Sequence, residues 1–147
     1  MKDDDFLYHF TCRFHLTTIL AERRISLTTS NFNLEDLSLY PVVWLTSSPM
    51  PDNMGLLFDK NIPDEFNKTH IRIAMFKESY MKQWDEWSKN KGMDKATKQI
   101  LIDSANAQDT YATWYISERE IPLDDVMFIE DMTTGNLLWE NGGDEEW

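Results

Sequence analysis

Five short runs rich in aromatic and β-branched residues, at positions 6–10, 41–46, 69–76, 113–117 and 126–130, most constrain how this chain can fold. Runs of that length and composition, closed by turn formers, read as strands. Ser47-Ser48-Pro49-Met50-Pro51-Asp52-Asn53 breaks the second run, and Ile121-Pro122 keeps the chain extended between the last two. In the third, Ile71 and Ile73 share one face. Helical spacing appears between the runs. Leu16, Ile19 and Leu20 predict a helix over 12–24 with Thr11 as its N-cap. Tyr80, Met81, Trp84 and Trp87 predict an amphipathic helix ending near Asn90-Lys91-Gly92, and 94–107 predicts another that buries Ile100 and Leu101. Residues 25–39 are polar and irregular and read as a loop. With no internal repeat and no low-complexity linker, the expectation is one mixed α+β domain over 1–130, followed by an acidic tail over 131–147.

The 147 residues suit a single domain, and the 41% apolar share is enough to bury a core. With 14 Lys and Arg against 26 Asp and Glu, the net charge is −12. Phosphate contacts need clustered cations, so a broad nucleic-acid-binding face is disfavoured. The acid is uneven. Positions 60–98 carry nine basic and six acidic residues, whereas 130–147 carry six acids and no Lys or Arg. That end reads either as a solvated tail or as a docking segment for a basic protein, helped by Leu137, Leu138 and Trp139. The single Cys12 excludes an internal disulfide and fits a reducing cytoplasm. No apolar run approaches a membrane span, so no membrane association is expected. His9, His15 and His70 lack metal-ligand spacing, and the acidic clusters lack the Gly of a calcium loop, so no metal is expected. Trp84, Trp87, Met75, Met81 and Met93 read as core.

Three elements could carry chemistry. His9, on a strand that ends at Thr11 before a helix, is placed to hold a ribose or phosphate oxygen. Its plainer reading is a core histidine bonded to backbone. Trp44-Leu45-Thr46-Ser47-Ser48 ends a strand in a run of hydroxyls, where sites collect, although a polar turn after a core Trp would look the same. Glu118 and Glu120, at i and i+2 of an extended segment, would share a side. One could orient a nucleophile while the other stabilises positive charge at a sugar carbon. Two solvated acids at a strand edge are the bland alternative.

Taken in order, these elements resemble the ADP-ribosyltransferase-like superfamily. Tyr8-His9-Phe10-Thr11 followed by His15-Leu16-Thr17-Thr18-Ile19-Leu20 is similar to the opening of its DarT-like and RNA 2′-phosphotransferase-like branches. Val43-Trp44-Leu45-Thr46-Ser47 and Trp114-Tyr115-Ile116-Ser117-Glu118-Arg119-Glu120-Ile121-Pro122 resemble its later strands. The resemblance covers about residues 6–130. It implies a split, mostly antiparallel sheet with flanking helices that clamps NAD as substrate. His9 would bond a ribose hydroxyl with Thr11 beside it, Trp44 would stack near the nicotinamide, and Thr46 and Ser47 would add hydroxyls. Arg13 and Arg72 are the candidates for the pyrophosphate. Glu120 would bond the ribose 2′-hydroxyl and stabilise the oxocarbenium-like transition state, and Glu118 would orient the acceptor, a protein or a nucleic acid.

Two other readings compete. His9-Phe10-Thr11 has the His-x-Thr form of two-histidine phosphoesterases, which need a second such motif, and His70-Ile71-Arg72 offers only its histidine. The net charge alternatively suits a non-catalytic acidic interaction or inhibitor protein covering a basic groove.

Overall fold

The computed structural model describes residues 6–27, 42–50, 63–92, 95–104 and 111–141. Seven strands form one sheet: β1 (Phe6–Thr11), β3 (Val43–Thr46), β4 (Ile71–Phe76), β5 (Met81–Gln83), β6 (Trp114–Ser117), β8 (Val126–Asp131) and β9 (Leu137–Glu140). Their order is β5-β6-β3-β1-β4-β8-β9, and every pair is antiparallel. Two short strands, β2 (Arg24–Ile25) and β7 (Ile121–Pro122), pair antiparallel in a separate ribbon. Among the described residues are also three α-helices: α1 (Arg13–Glu22), α2 (Trp84–Asn90) and α3 (Lys95–Ser104). The expected mixed α+β class, with a mostly antiparallel sheet, is what the chain forms.

Register sorts the side chains onto two faces, because directly paired residues project to the same side and neighbours alternate. Leu7, His9 and Thr11 oppose Met75, Ile73 and Ile71, and Ile73 in turn opposes Ile129. This face carries the aliphatic core, where Leu7, Val43, Leu45, Ile71, Ile73, Met75 and Ile129 are fully buried. Leu16 and Ile19 of α1 close over it, as do Ile25 and Ile121 of the ribbon. The opposite face is different in kind. Trp44 and Trp114 pack there with Trp84 of α2, at ring-centroid separations of 4.9–6.4 Å. Tyr8, Arg72 and Glu130 continue that face along the sheet.

Several boundaries differ from the sequence reading. Cys12, not Thr11, is the N-cap of α1, and it makes no side-chain capping bond. Leu20 lies exposed, so only Leu16 and Ile19 anchor the helix. The helix ends on Arg23 in the left-handed region (φ 60), whose N–H bonds the Ile19 carbonyl. The Arg23 carbonyl accepts from the Leu123 N–H at 3.0 Å, which ties the helix end to the ribbon. Tyr80 and Met81 do not begin a helix. Residues 81–83 pair with β6 and the helix starts at Trp84, where the buried Trp84 and Trp87 meet expectation. Strand pairing there outweighs helical spacing. In α3, Ile102 is buried and Ile100 is exposed, while the side chain of Leu101 lies outside the described residues. Most of the predicted 25–39 loop, together with Asp52, Asn53 and Met93, also lies outside them. Residues 131–141 are not the start of a tail: Asp131 ends β8, and 137–140 form β9 against it. Among the described residues no helix is long and apolar enough to cross a membrane.

Candidate functional site

The sheet has one sparse seam. β1 is bonded to β4 through six register pairs, from Phe6↔Phe76 to Thr11↔Ile71, whereas it meets β3 at one described pair, Tyr8↔Thr46. One residue past that pair, a side chain bonds across the seam: the His9 Nδ1 lies 2.8 Å from the Trp44 carbonyl oxygen. A carbonyl can only accept, so Nδ1 carries the proton, and the neutral ring keeps its lone pair on Nε2. Burial, the positive Lys68 and the nearby His15 push this imidazole down to about 4, against the opposing effect of the Trp44 bond. His9 is therefore uncharged at neutral pH and offers an acceptor. Burial and Lys68 also lower His15.

The remaining candidates divide between the two faces. Thr11 is buried on the His9 face. The ring of Trp44 turns away from His9 into the tryptophan cluster, although its carbonyl holds the histidine. Thr46 is fully buried and committed to the fold, since its Oγ1 donates to Thr113 Oγ1 at 3.4 Å and accepts from the Ser48 N–H at 3.0 Å. Ser47, just beyond, donates its N–H to the Thr113 carbonyl. Arg72 lies on the tryptophan face. Its guanidinium donates twice to Glu130 Oε1, at 2.9 and 2.6 Å, donates to the Pro49 carbonyl at 2.7 Å, and stacks over Tyr8.

The side chains of Glu118 and Glu120 do not converge. Residues 118–119 form a bend rather than an extended strand, and the two carboxylates take separate partners. Glu118 bonds Lys91, at the end of α2, at 3.0 Å, and that ammonium lowers its carboxyl. Glu120 faces Arg24 of the ribbon at 3.4 Å. The next residue, Ile121, enters the same aliphatic cluster as Leu7, two residues before His9. The ribbon that carries Glu120 packs through Ile25 and Ile121 on the sheet face that also carries His9, with His15 near His9 and Arg24 beside Glu120.

A second polar constellation was only partly visible in the sequence. Arg13, at the start of α1, donates to Asp131 Oδ2 at 2.8 Å, to Thr133 Oγ1 at 2.9 Å and to His70 Nδ1 at 3.1 Å. Asp131 in turn accepts from the Thr133 N–H and hydroxyl. These bonds and the Arg13 charge hold its carboxyl at about 2 although burial opposes them. Asp131-Met132-Thr133 has the form of an Asx turn, which is the sequence signal that could have disclosed this anchor. His70 is engaged with Arg13 and does not converge with His9. Among the described residues no group of three or more His, Cys, Asp and Glu could hold a metal. Cys12 is a free, buried thiol.

No family model matches the chain, and no curated protein is significantly similar to it.

Proposed function

We propose that the chain is an ADP-ribosyltransferase-like domain that binds NAD beside His9 at the β1–β3 seam, on the α1 side of the sheet. The observation that carries this reading is the state of His9. Its Nδ1–H is spent on the Trp44 carbonyl, which leaves a neutral Nε2 acceptor suited to a ribose hydroxyl. In the active form Glu120 accepts the ribose 2′-hydroxyl and stabilises the cationic sugar carbon as the nicotinamide bond breaks. That role requires Glu120 to leave Arg24. Glu118 would then orient an acceptor, a protein or a nucleic acid, after release from Lys91. An electrostatic contact of this kind lowers a barrier by about 2.7–4 kcal/mol.

A second reading, NAD binding without transfer, is favoured by the separate ion pairs of the two carboxylates. Calorimetry with NAD tests both. Saturable binding to the wild type is expected, weakened about two- to tenfold in His9→Ala through loss of one hydrogen bond. Release of nicotinamide that disappears in Glu120→Gln selects the transferase, whereas binding with no nicotinamide release selects the binding domain. Absence of binding at millimolar NAD would end the proposal in both forms.

A further inference from the structure

The outer edge of the sheet at β9 is open: among the described residues no strand pairs with its far side. The Asn141 N–H bonds the Met127 carbonyl at 2.9 Å, so the alternate residue, Glu140, turns its N–H and C=O away from β8. Register also slips here. Ile129 opposes Trp139 and Glu130 opposes Leu137, which leaves Leu138 as the extra residue of a bulge. Leu137 is 53% exposed and Leu138 44%, while Trp139 packs against the aliphatic core and anchors the strand. Of the devices that guard natural edge strands, β9 carries the bulge and a terminal Glu140 but no Lys or Pro.

The charge around this edge has one sign. Glu130 and Asp131 of β8 are neutralised by Arg72 and Arg13. At the other end of the strand, the Asn141 side-chain amide donates to the Asp124 backbone carbonyl at 3.1 Å, and Asp124 and Glu140 are both exposed. The sequence then continues through Asp144, Glu145 and Glu146, and no Lys or Arg occurs anywhere in 130–147.

We propose that β9 is a docking edge that takes an extended basic segment of a partner protein as an added strand. Main-chain bonds to Glu140, apolar contacts to Leu137 and Leu138, and cations near Glu140 and Asp124 would hold it. A second copy of this chain fits poorly, because antiparallel β9 edges would bring two acidic stretches together.

The test uses the full chain and a synthetic peptide of alternating Lys and Val, with a Glu and Val peptide as control. Binding is followed by fluorescence anisotropy and by amide hydrogen exchange. Saturable binding of the basic peptide is expected, weakening as salt rises, with slower exchange at Glu140. Glu140→Pro should weaken it at least tenfold. That change removes only an outward donor, so the ladder to β8 survives, and an unaltered thermal unfolding midpoint verifies this. Glu140→Lys should weaken it several-fold through charge alone. No binding to the wild type, equal binding to Glu140→Pro, or protection elsewhere in the chain would overturn the proposal. So would concentration-dependent self-association abolished by Glu140→Pro, since the occupant would then be a second copy.

Discussion

Strand β1 is held differently on its two sides. Against β4 it runs in register for its whole length, and its residues Leu7 and Thr11 meet Met75 and Ile71 in a continuous aliphatic layer. Against β3 it keeps one described pair, and a histidine ring adds a side-chain bond to the Trp44 carbonyl beside it. The first seam is fixed by packing that tolerates little change. The second depends on one protonation state, because only neutral Nδ1–H imidazole with a free Nε2 both bonds Trp44 and offers an acceptor. A molecule that must present a polar group to a ligand has reason to leave the ladder incomplete at that point.

The contrast breaks most sharply at the packed seam. Ile73 is fully buried between its register partners His9 and Ile129, so Ile73→Ala leaves a cavity with nothing to fill it. It should cost about 2–5 kcal/mol, read as a lower urea midpoint with an unchanged slope. A loss under 1 kcal/mol would mean that this seam is no better packed than the other.

The sparse seam should announce itself through pH. The His9 imidazole sits at about 4 in the fold and near 6.5 in the unfolded chain. Its contribution is therefore full above pH 6.5 and is lost as pH falls towards 4, where the unfolded chain takes up the proton first. For this partly buried ring the loss is about 1–2 kcal/mol by pH 5. His9→Gln, whose amide can still donate to Trp44, should flatten that part of the profile while other groups titrate alike in both proteins. Identical profiles between pH 7 and 5 would show that burial does not hold the ring neutral.

Asp131 gives a smaller and differently placed signal. Its carboxyl is held at about 2, below its value of 3.8 outside the fold, so its contribution is present above pH 4 and fades as pH falls to 2. Asp131→Asn keeps an oxygen for Thr133 and loses the charge opposite Arg13. Because Arg13 is partly exposed, the cost should be about 1 kcal/mol at pH 7 and should shrink below pH 4. A cost that stays constant down to pH 2 would locate the effect in geometry rather than charge.

Much of this contrast could be read in the chain before its fold was known. The five runs became strands because aromatic and β-branched side chains mark a half-buried pleated surface wherever they cluster, and Leu16 and Ile19 marked the buried stripe of α1. What escaped was non-local. Met81-Lys82-Gln83 fits a helix by spacing and became an edge strand because β6 offered it a partner. Leu137 to Glu140 looked like a solvated end for want of any hint that β8 would present an unpaired side. Among the site residues, His9 was legible as a polar group inside an apolar strand. The parting of Glu118 and Glu120 was not, since it depends on Lys91 and Arg24, which alternation along one segment cannot foresee.

The smallest expected change in stability is the most informative about chemistry. Arg24 and Glu120 are 49% and 41% exposed, so Arg24→Ala should alter stability by about 0–0.5 kcal/mol. Its effect on function should be larger, because the proposed role of Glu120 requires a carboxylate free to accept a ribose hydroxyl. Arg24→Ala should therefore raise the rate of nicotinamide release from NAD, and adding Glu120→Gln should abolish it. If the single variant releases no more nicotinamide than the wild type, the ion pair is a surface contact that does not restrain Glu120, and if Glu120→Gln also leaves release unchanged, Glu120 has no part in the reaction. The sparse seam would then be a binding device alone, with His9 as its polar contact.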